Sequence, residues 1–411
     1  MPDTTSLTLP AERPRRATRA RTTRTGATNG VPPCPRNAPP PVLVEVHRFT
    51  GSRLSAATDL RGGVVPPDPA VVESRHRGCV VQVGADLRVE RGLGDPATVV
   101  MLRSAVKPFT LLALVESGAV EAFGLTTTEL AIMAASHSGE DMHVRTLQAV
   151  FRRTRLSQTL LACGDMAPLD ALTAARLARD GEQPGPIRHM CSGFHAASIL
   201  LSRHAGWPVE EYWQPDHPSQ LAARDAVARI FGVASKDLLT GIDACGLPTY
   251  AFPLVEIARA YALLADPAGV ASDQPRRSLA PALTMVRDAM LAAPEMVGGS
   301  RDRLDTAMAN VRAGKLVVKG GAEGLRGVAL LPDARGSGSP AAGLALKLED
   351  GGTLRGSHAA SVEAMRQVGA LGERELHQLH AYARPALHDP RGEVVGEVVP
   401  SFELAPLGEL A

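Results

Sequence analysis

Two hydrophobic periods follow one another along the chain, and their order sketches a fold. Val42-Leu-Val-Glu-Val-His-Arg-Phe49 alternates apolar and polar positions in a β-branched composition, which predicts a strand. Gly78-Cys-Val-Val-Gln-Val83 and Ala97-Thr-Val-Val-Met-Leu102 predict two more. The middle of the chain changes to a helical period. Thr126-Thr-Thr-Glu129 has capping-box spacing ahead of Leu130-Ala-Ile-Met-Ala134. Further helical patterns cover residues 141–154, 170–178, 192–204, 218–231, 253–265 and 281–293. Strands return at Lys315-Leu-Val-Val-Lys319, Arg326-Gly-Val-Ala-Leu-Leu331 and Gly343-Leu-Ala-Leu-Lys-Leu348. A helix over 358–368 and a short C-terminal strand close the chain, and residues 333–342, rich in Gly, Ser and Pro, read as a surface loop. Strands at both ends with helices between them predict an α+β fold, a sheet shared by the two halves and covered by helices.

Composition changes this picture at one end. Residues 1–40 hold seven arginines against Asp3 and Glu12, a surplus of +5 that leaves −4 on the rest of a chain of net +1. With Thr and Pro abundant and few large apolar side chains, 1–40 is predicted to be a disordered extension, and 41–411 one catalytic domain. An Arg13–Arg24 nucleic-acid arm is the alternative for that segment, but the acidic body lends it no support. The segment lacks the apolar stretch of a secretion signal. Five scattered cysteines do not form a disulfide framework, and no run of about 18 apolar residues predicts a membrane span. The expectation is a cytoplasmic enzyme without nucleic-acid or membrane partners.

Candidate chemistry gathers at five places. Arg103-Ser-Ala-Val-Lys107 sets Ser104 and Lys107 three apart, on one face of a helix. A lysine relieved of its proton by burial can serve as base to a serine, and the chain has only five lysines, its other basic residues being arginines that cannot. The plain alternative is a solvated pair in a first helical turn. Ala135-Ser-His-Ser-Gly-Glu140 offers Ser136, His137 and backbone N–H groups of the 136–139 turn for an oxyanion or a carboxylate, or else a polar helix end. Cys191-Ser-Gly-Phe-His195 and Asp243-Ala-Cys-Gly-Leu-Pro248 carry two thiols that suit zinc, with His195 and Asp243 as conceivable further ligands, or two buried reduced cysteines. Lys319-Gly-Gly-Ala-Glu-Gly324 ends a strand with a second candidate base.

Together these segments resemble the L-asparaginase II-like family, the thermolabile class unrelated to the threonine-nucleophile asparaginases. Glu73-Ser-Arg-His-Arg-Gly78, Leu114-Val-Glu-Ser-Gly118 and residues 297–306 extend the resemblance, in order, from Val42 to about His358. It implies a fold similar to serine β-lactamases and serine-dependent glutaminases: an antiparallel sheet flanked by helices, plus a helical lobe. It implies hydrolysis of asparagine to aspartate and ammonia, a homodimer, and two Ser–Lys tandems, Ser104 with Lys107 and Ser136 with Lys319. It also implies zinc held by Cys191, Cys245 and a lysine. That lysine is Phe194 here, which cannot ligate a metal, so the zinc is in doubt; Ala244 stands where the family has glycine.

The expected mechanism makes Ser104 the nucleophile, with Ser136 and Lys319 relaying protons, and leaves the reverse assignment open. Arg103, His137, Asp243 and Glu323 are the candidate substrate-binding residues. Another amide substrate (glutamine, a β-aspartyl or a β-lactam amide) and a non-catalytic amino-acid-binding descendant are the alternatives.

Overall fold

The strands predicted at the two ends of the body do share a sheet. The computed structural model describes residues 39–49, 57–58, 64–65, 70–270 and 274–406; residues 1–38 of the expected extension lie outside them. The sheet contains β1 (Val42–Phe49), β2 (Ala70–Gly84), β3 (Val89–Leu93), β4 (Leu316–Gly320), β5 (Leu325–Leu330), β6 (Ala342–Leu348), β7 (Ala386–His388), β8 (Val394–Pro400) and β9 (Ala405–Pro406). Its order is β7-β8-β1-β2-β6-β5-β4, with β3 also on β2 and β9 on β3, and every pairing is antiparallel. Strand β2 is long enough to change partners: Ala70–Arg77 pairs with β1, and Gly78–Gly84 with β6. The segment predicted at 97–102 leaves this sheet, and Val99–Met101 joins a three-stranded one with Pro248–Pro253 and Leu239–Ile242.

Alternation along β6 shows how the layers form. Leu344, Leu346 and Leu348 enter a core with Leu304 and Met308 of the helix Leu304–Val311, and with Ala359, Val362 and Met365 of the helix His358–Gln367. Gly343 points the other way, toward the helix Leu254–Ala265. A Cβ built on Gly343 would stand 2.0 Å from Ala258 O, so the helix approaches as closely as it does because there is no side chain there. Covered on both faces, these strands read as nearly continuous apolar runs.

The middle of the chain forms the helical lobe. The predicted capping box is present: Thr126 Oγ1 accepts from Glu129 N at 3.2 Å, and Glu129 Oε2 from Thr126 N at 2.8 Å. It opens α1 (Thr127–Met133), followed by α2 (Asp141–Thr154) and α3 (Ser192–Ala205). Cys163, Cys191, Phe194 and Cys245 belong to the lobe's core with Ile132, Leu147 and Phe151. The chain thus sets the end of α1 and the start of α3 near the end of β4, where the lobe meets the sheet.

Candidate active site

Three separate elements bring basic and hydroxyl groups to one point. Lys107 comes from the helical turn Lys107–Thr110, Ser136 from the extended segment after α1, and Lys319 from the end of β4. Lys107 Nζ donates to Ala135 O at 2.6 Å and lies 3.1 Å from both Ser136 Oγ and Cys191 Sγ. Those are three partners, the number an ammonium's N–H groups satisfy. Lys319 Nζ lies 2.9 Å from Ser136 Oγ and donates to Gly320 O at 2.8 Å. Both lysines are buried, at 1 % and 0 % exposure. Burial pushes the Lys319 amine well below the usual lysine range, and the nearby Lys107 and Arg303 charges push it further.

The expected Ser104–Lys107 contact is not made: Lys107 turns to Ser136, and no hydrogen bond joins it to Ser104 among the described residues. A spacing of three places two side chains on one helical face but does not decide what else reaches them. Ser104 is half-buried and, with Ser136, lines a cavity of about 280 Å³ whose wall includes Arg303, Gly321, Ala322 and His358. Arg103, immediately before it, has φ +49°, a left-handed conformation that a side chain this large adopts only under tertiary constraint.

Three of the four backbone N–H groups of the 136–139 turn are already engaged. Ser136 N–H donates to Val297 O, His137 N–H to Met190 O and Gly139 N–H to His137 Nδ1. His137 is fully buried and stacked on His143 at 4.6 Å. Since its Nδ1 accepts from Gly139, the proton sits on Nε2, 2.9 Å from Ser192 Oγ. Burial keeps this ring neutral, its pKa far below the usual range. His137 therefore shapes the turn and is not part of the cavity wall. Backbone N–H groups without a partner among the described residues are instead found on Ser104 and Ala322, both lining the cavity.

Two further expectations change with the geometry. Arg103 Nε donates to Asp243 Oδ1 at 2.8 Å, so these two satisfy each other. Glu323 is exposed on a left-handed turn (φ +57°) outside the cavity wall, its carbonyl taken by Lys347. Arg303, Asp305, Arg326 and His358, which are not among the candidate residues of the sequence, line the cavity. Asp302, Arg303, Leu304 and Asp305 reach it as one consecutive stretch.

The two cysteines lie together. The neighbouring Cys245 thiol and the Lys107 charge lower the Cys191 pKa, while Cys191 and burial raise that of Cys245. Phe194 sets its ring 5.4 Å from Lys107 Nζ, a cation–π contact where the family has a metal-binding lysine. His195 Nε2 is buried without a partner, while its Nδ1 lies 2.5 Å from Tyr212 Oη. No group of three or more His, Cys, Asp or Glu among the described residues is arranged to hold a metal. The two sulfurs therefore lack a third His, Cys, Asp or Glu ligand of the kind a closed zinc site needs.

The sequence model of the L-asparaginase II family matches residues 69–400. The chain belongs to the L-asparaginase II family. It is an amidohydrolase on that ground, and the Ser–Lys cluster lies within the matched span. No curated protein matches the chain. Among solved structures, a probable glutaminase from Bacillus subtilis complexed with 6-diazo-5-oxo-L-norleucine is 12% identical, covering 72% of this chain and 86% of its own, with a TM-score of 0.33. A Bacillus glutaminase in 4.3 M NaCl is 12% identical over 74% of this chain and 89% of its own, with a TM-score of 0.32. Mglu in its tris and glutamate form is 14% identical over 72% and 60%, also at 0.32. Likenesses this loose carry no argument about the site. No helix among the described residues is long and apolar enough to cross a membrane.

Proposed function

We propose that this family member hydrolyses the side-chain amide of L-asparagine to aspartate and ammonia through an acyl-serine. The observation that carries the chemistry is the convergence of Lys107 and Lys319 on Ser136 Oγ, beside Ser104 in a cavity. Ser136 is 5 % exposed, and its oxygen already has two amine partners, which suits it to pass a proton rather than to attack. Ser104 has no such engagement among the described residues and opens on the cavity, which suits it to attack.

In this reading Ser104 Oγ attacks the amide carbon while its proton passes to Ser136, whose own proton passes to neutral Lys319. The Ser104 and Ala322 N–H groups receive the developing oxyanion. The protonated relay then returns its proton to the leaving nitrogen, which departs as ammonia. Water, deprotonated by the same relay, hydrolyses the β-aspartyl ester and restores Ser104.

The test is ammonia release by the purified protein from asparagine and from glutamine, with Ser104→Ala and Ser136→Ala beside it. Turnover of asparagine, lost in both variants, is the expected result. Release from glutamine alone would transfer the mechanism to another substrate. Release from neither amide would overturn the reading.

A further inference from the structure

We infer that Arg303 is the receptor for the substrate's α-carboxylate, a conclusion that rests on reading the site as that of an amino-acid amidohydrolase. The arginines around the cavity differ in what each is paired with. Arg103 is bonded to Asp243. Arg301 is bonded to Asp170 and reaches Glu140. Arg326, buried in the cavity wall, is bonded to Asp305 and to Ser361 Oγ. Arg303 lines the same cavity, is half-buried, and has no carboxylate partner among the described residues.

A guanidinium withdrawn from water is costly, and burial lowers the Arg303 pKa from its ordinary value, opposed in part by Tyr382 and Glu140, neither of which is bonded to it. The arrangement becomes favourable once a carboxylate arrives. Arg303 uses one N–H, Nη2 donating to Ser136 O at 2.7 Å. Its other N–H groups have no partner among the described residues, and a planar fork matches a carboxylate bidentately.

The same bond fixes where that carboxylate would lie. Because Arg303 holds the carbonyl of Ser136 itself, an anion on its fork sits within one residue of the Ser136–Lys319 relay. That spacing suits an amino acid whose amide is a short chain away from its carboxylate. Neither Arg103 nor Arg326 is as well placed, since binding there would break an existing ion pair.

The experiment compares wild type with Arg303→Gln and Arg303→Lys on two substrates, asparagine and 3-aminopropanamide, which is asparagine without its α-carboxylate. Arg303→Gln is expected to lower kcat/KM for asparagine roughly 10- to 100-fold, mostly through KM, the range for losing hydrogen bonds to a charged group. Turnover of 3-aminopropanamide should fall much less than that of asparagine, the small common loss reporting the Ser136 carbonyl contact, and Arg303→Lys should fall between because it keeps charge without the fork. Equal losses on both substrates would overturn the inference and leave Arg303 a support for the Ser136 carbonyl.

Calorimetric binding of aspartate and of β-alanine separates this inference from the proposed reaction. If asparagine is not turned over but aspartate binds wild type and not Arg303→Gln, the receptor stands and the asparagine reading fails. Aspartate affinity equal in wild type and variant would overturn the receptor whatever the activity.

Discussion

Lys319 Nζ and Ser136 Oγ lie 2.9 Å apart although 183 residues of chain separate them. One residue ends a sheet strand and the other follows a lobe helix, so the contact exists only once the two layers have docked. Replacing Lys319 with methionine keeps the chain's bulk and removes the base. Ammonia release should fall by roughly 10²- to 10⁴-fold, the contribution typical of a positioned general base. Circular dichroism should remain native, since a buried amine exchanged for an apolar group relieves desolvation. A variant that keeps more than about a tenth of wild-type kcat would remove Lys319 from the proton path.

The same lysine sets a pH dependence. Its folded pKa lies well below the usual lysine value, chiefly through burial and secondly through Lys107. The proposed mechanism needs the neutral amine, so kcat/KM should rise with pH through the folded pKa, its acid limb being the uptake of a proton by Lys319. Stability follows the same sign. Between the folded and the ordinary lysine pKa the unfolded chain binds one more proton than the native one, so stability rises with pH across that window. Thermal melts of wild type and Lys319→Met should therefore differ most at the low-pH end of it. A melting difference that does not change with pH would contradict this titration.

How much of this was legible in the sequence depended on range. Capping at Thr126–Glu129, the helix at 141–154 and the strand at 42–49 are local events, and the pattern located them. The stretch Glu73-Ser-Arg-His-Arg77 is polar and largely exposed, yet it lies in β2, because backbone pairing with β1 holds it extended whatever its composition. The two candidate lysines do meet at one point, but on Ser136: the sequence spacing paired Lys107 with Ser104, three residues before it. Which oxygen a long flexible amine meets is decided by the lobe's packing, where Ala135 O and Cys191 Sγ also compete for it. Arg303 was not legible for the same reason: only the fold shows that Arg301 and Arg326 are ion-paired while Arg303 has no bonded carboxylate among the described residues.

The division of labour between the two serines predicts where an intermediate will be found. Acid quench during asparagine turnover, followed by peptide mass spectrometry, should place the β-aspartyl group on Ser104. Ser136→Ala should slow its formation without moving it, because the relay is damaged while the attacking oxygen remains. A label on Ser136 in wild type would exchange the two roles, and the paired lysines at that oxygen would then be its activators.

Phe194 predicts the behaviour toward metal. With two sulfurs and no third donor, dialysis against a chelator should leave ammonia release unchanged, and elemental analysis should find zinc well below one equivalent. Phe194→Lys restores the family's nitrogen beside Cys191 and Cys245, and its zinc content should rise toward one equivalent. Adding Cys191→Ser to that variant should abolish the gain. Stoichiometric zinc in wild type would mean that another donor, with His195 Nε2 the first to examine, completes the set.

Close packing beneath the site supplies a prediction on stability. The helix Leu254–Ala265 presses on β5 and β6, the strands that support β4 and hence Lys319. At Gly343 a Cβ would meet Ala258 O at 2.0 Å and Ala262 N at 2.3 Å, both of them backbone atoms that cannot swing aside. Gly343→Val must therefore lift the helix or bend the sheet, and it should cost about 2–4 kcal/mol of unfolding free energy. Gly185→Ala is the control, since nothing lies within 4 Å of its added Cβ, and its effect should stay within about 0.5 kcal/mol. Urea denaturation of both variants measures the difference. If Gly343→Val unfolds with wild type, the helix is not held at that distance by the missing side chain, and the route from this packing to the position of Lys319 is lost.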